Sequence, residues 1–116
     1  SNYEFVKKLE EKYENCKIIK GFFSNTLLEE KNKDLKKIAI AFIDCDIYKS
    51  AKPVIDFISD KMPNGSYIII DDCFNIDENG NSIYKALTEN QKLHSKLIRI
   101  SNYGLNGATF KYLDYE

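Results

Sequence analysis

Residues 38–46 read Ile38-Ala39-Ile40-Ala41-Phe42-Ile43-Asp44-Cys45-Asp46: six apolar residues in a row, then two aspartates separated by a cysteine. A shorter version returns at Tyr67-Ile68-Ile69-Ile70-Asp71-Asp72, four apolar residues and then two adjacent aspartates. Unbroken β-branched and aromatic runs bounded by polar residues suit the centre of a parallel sheet covered on both faces. In such sheets ligands bind outside the carboxyl ends of the strands. Four carboxylates delivered to one such edge raise each other's pKa unless a cation compensates them, and a hard divalent metal is the simplest compensation.

Asp71 follows Asp44 by 27 residues, enough for one crossover helix, so neighbouring parallel strands are expected to bring both to the same edge. Ser50 is a candidate cap for that helix. Val54, Ile55, Ile58 and Met62 fall on one of its faces, and Pro53 is expected in its first turn. Pro63-Asn64-Gly65 supplies the stop.

Upstream, Phe5, Val6, Leu9 and Tyr13 recur at helical spacing and predict an amphipathic helix over 3–14. A short strand is expected at 16–20, then a loop from Gly21 to Leu27 in which Asn25 and Thr26 bond locally, then a polar stretch over 29–37. Downstream, residues 75–81 form a polar loop, and Ile83, Ala86 and Leu87 predict a helix over 82–92. Leu97–Ile100 and Ala108–Leu113 flank a turn-rich segment and predict an antiparallel hairpin at a sheet edge. The order α, β, β, α, β, α, β, β belongs to one α/β domain over 1–116, with a mainly parallel sheet flanked by helices and a C-terminal hairpin.

Composition narrows the function. With 17 Lys and Arg against 18 Asp and Glu, the chain lacks the electrostatic footprint of a nucleic-acid binder. Lys31-Asn32-Lys33 and Lys36-Lys37 read as solvated flanks. No apolar stretch is long enough to cross a bilayer and no signal segment opens the chain, so a soluble, cytoplasmic protein without a membrane partner is expected. The three cysteines, Cys16, Cys45 and Cys73, have neither disulfide-framework nor zinc spacing and are expected to be reduced and apolar in character. His94, the single histidine, is expected at the surface.

Three or four aspartate oxygens at one edge suit Mg²⁺, which takes oxygen ligands and keeps room for substrate oxygens. A cation held there can bind a hydroxyl, lower its pKa and orient it for attack. The competing reading makes the aspartates polar strand ends that cap the helices after them.

Three blocks in order add a resemblance: Lys20-Gly21-Phe22-Phe23-Ser24-Asn25-Thr26-Leu27, Ile43-Asp44-Cys45-Asp46-Ile47-Tyr48-Lys49-Ser50 and Asn64-Gly65-Ser66-Tyr67-Ile68-Ile69-Ile70-Asp71-Asp72. Together they resemble the macrocin O-methyltransferase family, over about residues 16–90. The chain departs from the family pattern at Ser66, Ala51 and Cys73.

The resemblance implies a Rossmann-like methyltransferase fold and transfer of a methyl group from S-adenosylmethionine to a metal-bound hydroxyl of a sugar or other small molecule. It implies Asp44, Asp71 and Asp72 as ligands of Mg²⁺, Asp44 as acceptor of the hydroxyl proton, and Asp46 as its partner or the alternative base. Tyr48 and Ser50 would shape the helix start. The family's first strands, with their glycine-rich cofactor loop, have no counterpart here, so the chain is expected to match the C-terminal part of such an enzyme. It is then expected to self-associate or to be completed by an N-terminal half. Other readings stay open: a catalytically silent partial domain acting through self-association, a phosphohydrolase of the haloacid dehalogenase type, or a glycosyltransferase using Asp-x-Asp.

Overall fold

The computed structural model describes residues 2–15, 23–28 and 37–115. Helix α1 spans Asn2–Lys12, α2 Phe23–Thr26, β1 Ile40–Ile43, α3 Tyr48–Ile58, β2 Tyr67–Ile70, α4 Ile83–Glu89, α5 Gln91–His94, β3 Leu97–Tyr103 and β4 Gly107–Tyr112. The expected strand over 16–20 lies outside the described residues, as does most of the polar stretch over 29–37. Residues 23–26, expected as loop, form the short helix α2.

The sheet runs β1-β2-β4-β3. β1 and β2 are parallel, with Ile43 opposite Ile70, so the crossover through α3 brings the two acidic clusters to one edge as the spacing predicts. The sheet is not mainly parallel among the described residues: β4 pairs antiparallel with both β2 and β3. The hairpin is present, and its second strand is the one inserted beside β2. The reason is in the side chains. Ala108, Phe110 and Tyr112 alternate with Thr109 and Lys111 and bury one clean face, whereas every β3 residue after Leu97 is exposed, which suits an edge.

The core unites Ile43, Ile68, Ile70, Ala108, Phe110 and Tyr112 of the sheet with Ala51, Ile55 and Ile58 of α3, Ile83, Ala86 and Leu87 of α4, and Leu93 of α5. It occupies one face only. Ile40 and Phe42 point to the other and are exposed, contrary to the expectation of two covered faces. A continuous apolar run says that both faces are apolar, not that both are covered.

Three details of the helices differ from expectation. The N-cap of α3 is Ile47, which has no side-chain oxygen to offer; Ser50 lies inside the helix and caps nothing. Pro53 sits in the second turn, not the first. The predicted helix over 82–92 is two helices, broken at Asn90, whose side chain accepts a hydrogen bond from the Leu93 amide and restarts the chain as α5. α1 is helical as predicted yet buries no residue, with Phe5 exposed.

Candidate metal and active site

β1 and β2 end one residue before Asp44 and Asp71, and the Asp71 amide donates to the Ile43 carbonyl at 2.9 Å, extending the ladder to the last residue before the acids. After Asp44 the backbone folds back at once, the Ile47 amide reaching the Cys45 carbonyl at 2.8 Å. This places Asp46 in the left-handed region at φ 67°. Asp72 does the same after β2, at φ 52°. Among the described residues these are the only two non-glycine residues at positive φ. Aspartate tolerates that region better than most side chains because its short polar group bonds locally. Asp72 shows it, accepting from Asn75 Nδ2 at 3.0 Å.

The two bends turn the side chains toward each other. Asp44, Asp46 and Asp72 each present a carboxylate oxygen, all within 4.8 Å of one another. Asp71 lies against Asp44 and shares a hydrogen bond with it. Partial loss of hydration pushes the Asp44 carboxyl above its ordinary value, and the charge of Asp71, their shared hydrogen bond and the charges of Asp46 and Asp72 push the same way. All four sequence-predicted residues therefore meet at one edge. The tight group of three contains Asp46, with Asp71 beside it.

Neighbouring side chains frame the group. Tyr48, at the start of α3, donates its hydroxyl to Glu89 Oε1 at 2.6 Å and so ties α3 to α4. Neither Glu89 nor Asn75 is singled out by the sequence reading; the Asp-x-x-Asn spacing of 72 and 75 was the available signal. Cys45 is half-buried and Cys73 fully buried, both free. Burial pushes the Cys73 thiol up to about 12, opposed only by the nearby Arg99 charge, so it is protonated and inert. Cys16 lies outside the described residues.

Hard oxygen donors in a compact cluster, at the carboxyl end of two parallel strands, fit a divalent cation of the Mg²⁺ type. The profile of the family described as Macrocin-O-methyltransferase (TylF) matches residues 3–107. The chain belongs to this family. The solved structure of the O-methyltransferase NovP is similar, with a TM-score of 0.70 at 19% sequence identity, over 98% of this chain and 46% of that one. At that identity the likeness concerns the fold, and the family member described here spans about half the length of the NovP chain. No curated protein matches the chain. No helix among the described residues is long and apolar enough to cross a membrane.

Proposed function

We propose that the chain carries the metal- and acceptor-binding part of an S-adenosylmethionine-dependent O-methyltransferase acting on a hydroxyl of a sugar or other small molecule. The observation that carries this reading is the convergence of Asp44, Asp46 and Asp72, with Asp71 beside them, in a chain of this family.

S-adenosylmethionine, when bound, supplies a methyl group on a sulfonium centre. Its glycine-rich cradle is not among the described residues: Gly65, Gly80 and Gly104 occupy turns or bends, and Gly107 lies in β4. The cation fits better. Asp44 and Asp72, shared by the sequence expectation and the tight group, are its principal ligands, with Asp71 and Asp46 completing the oxygen set. An acceptor hydroxyl docked against this edge is oriented by the carboxylates, and orientation alone supplies a large share of such an acceleration. Asp44, at the edge where the acceptor hydroxyl docks, is placed to take the hydroxyl proton, with Asp46 as the alternative base.

Calorimetric titration of Mn²⁺ and Mg²⁺ into the wild type and into Asp44→Asn/Asp72→Asn tests the reading. Saturable binding is expected in the wild type alone. Equal behaviour of the two proteins leaves the aspartates as polar strand ends, since Ile47 and Ser82 hold the cap positions of α3 and α4, and overturns it. In a methyl-transfer assay over a panel of sugar acceptors, Asp44→Asn is expected to lose about 10²-fold or more of the rate. Transfer that persists undiminished in EDTA would separate the reaction from the metal.

A further inference from the structure

The single arginine and the single histidine of the chain meet in one cavity, away from the acidic cluster and not used by it. Its volume is about 330 Å³, and Phe74, Tyr84, His94, Leu97, Arg99 and Phe110 line it. That size lies near the lower end of small-molecule sites. The sheet register explains the meeting: Arg99 stands opposite Phe110 on the face that carries the helices, so the exposed Arg99 borders the cavity together with Tyr84 of α4 and His94 of α5.

Both polar groups are held in place. The Arg99 guanidinium lies 4.6 Å from the centre of the Phe74 ring and donates one of its nitrogens to Asn102 Oδ1 at 2.6 Å. A guanidinium has five N–H donors in a planar fork, and no other partner takes them among the described residues. His94 Nε2 lies 3.4 Å from the Tyr84 hydroxyl, and its ring meets the Tyr84 ring edge-on at 5.9 Å. Tyr84 in turn packs on Phe74 at 5.2 Å and runs nearly parallel to Phe110. The cavity thus has aromatic walls and a fixed cationic fork at its rim.

We propose that this cavity is a binding site for a planar aromatic carboxylate, its ring against Phe74, Tyr84 and Phe110 and its carboxylate on the Arg99 fork, with His94 as a further donor. A guanidinium pairs with a carboxylate through two parallel hydrogen bonds; a neutral ring cannot form that pair, and inorganic phosphate, which can, has no ring to lay against Phe74, Tyr84 and Phe110. The four aspartates of the metal edge repel the same ligand, so the two sites select opposite charges.

The test uses 2-naphthoate, its neutral counterpart 2-naphthylmethanol, and inorganic phosphate, each titrated into the metal-free protein in EDTA and followed by NMR. Because the chain has one arginine and one histidine, the Arg99 Nε–H and His94 ring signals are unambiguous. Saturable shifts of both signals are expected with 2-naphthoate, with the alcohol and phosphate at least about tenfold weaker. Arg99 is exposed, so Arg99→Gln keeps the fold and is expected to weaken 2-naphthoate by about tenfold or more, with Arg99→Lys weakened less. Equal affinity for the alcohol or for phosphate overturns the proposal, as does an unchanged Arg99→Gln or a response confined to residues 44–46. Since no metal is present, the result does not depend on the function proposed for the aspartates.

Discussion

Asp44 and Asp72 answer to different forces, and single substitutions separate them. Asp44 is held above its ordinary value of 3.8, by loss of hydration first and by Asp71 next. The folded protein therefore keeps the Asp44 proton to a higher pH than the unfolded chain does. Stability falls as pH rises through the window between the two values, and the ionised group is a cost at neutral pH. Asp44→Asn is expected to raise the melting temperature in EDTA at pH 7, with the gain shrinking toward pH 4. With saturating Mg²⁺ the order is expected to reverse, since the wild type gains binding energy that the variant lacks. Thermal melts in both buffers check this, and an unchanged order removes the cation from the site. Asp72 is constrained by its backbone. At φ 52° glycine is at ease and alanine is not. Asp72→Gly and Asp72→Ala remove the same charge and the same bond to Asn75, so their difference isolates the backbone. The glycine variant is expected to be more stable by about 1 kcal/mol in urea melts. The sequence showed that aspartates gather here; it did not show the two left-handed bends that aim Asp46 and Asp72 inward, because aspartate is equally at home in caps and turns.

At the scale of elements, α4 depends on a cap that α3 does without. The Ser82 hydroxyl oxygen accepts from the Lys85 amide at 3.1 Å, satisfying one of the free donors of the first turn. Ser82→Ala is expected to cost about 1 kcal/mol by denaturant titration. A loss below a few tenths would mean that tertiary packing of Ile83, Ala86 and Leu87 alone sets this helix. Since Glu89 of the same helix receives the Tyr48 hydroxyl, a frayed α4 also loosens the start of α3 beside the acids. Elements with one strong signal were legible: β2, the α3 crossover ended by Pro63-Asn64-Gly65, and the terminal hairpin. Errors fell where two signals competed. Ser50 is a good capping residue, yet the tight turn through Cys45 and Ile47 starts the helix before it. Asn90 is tolerated within a helix by pattern alone, yet its side chain bonds the Leu93 amide better by breaking it.

The whole molecule leaves one sheet face and the outer edges of β1 and β3 without a partner among the described residues. Cross-strand register lines up Ile40, Tyr67, Lys111 and Ile98 in one row of that face, and Phe42, Ile69, Thr109 and Ser101 in the next. Ile40 is 63% exposed, and Phe42 and Ile98 are each 51% exposed. Some cover is improvised: Tyr103 folds its ring back over Gly107 to meet Phe42 edge-on at 5.5 Å, and Lys111 lies over the Tyr67 ring. A Cβ at Gly107 would stand 2.4 Å from the Tyr103 carbonyl oxygen, so only glycine permits this return. The apolar character of the face was readable from Ile40 and Phe42, but what covers such a face is a property of neighbours, not of the run itself. Among the described residues β1 has a strand on one side only, and it carries no lysine or proline to blunt its edge, the condition under which strands recruit another chain. A second copy seated on β1 and this face is expected to make the protein self-associate at high micromolar concentration. Phe42→Lys places a charge in the middle of the contact without touching the core on the other face. Sedimentation velocity is expected to show a concentration-dependent wild type and a variant weakened by about tenfold or more, with unchanged circular dichroism. A wild type that stays monomeric throughout would mean that the exposed rows are tolerated as they stand, and that β1 is protected by something other than a second copy.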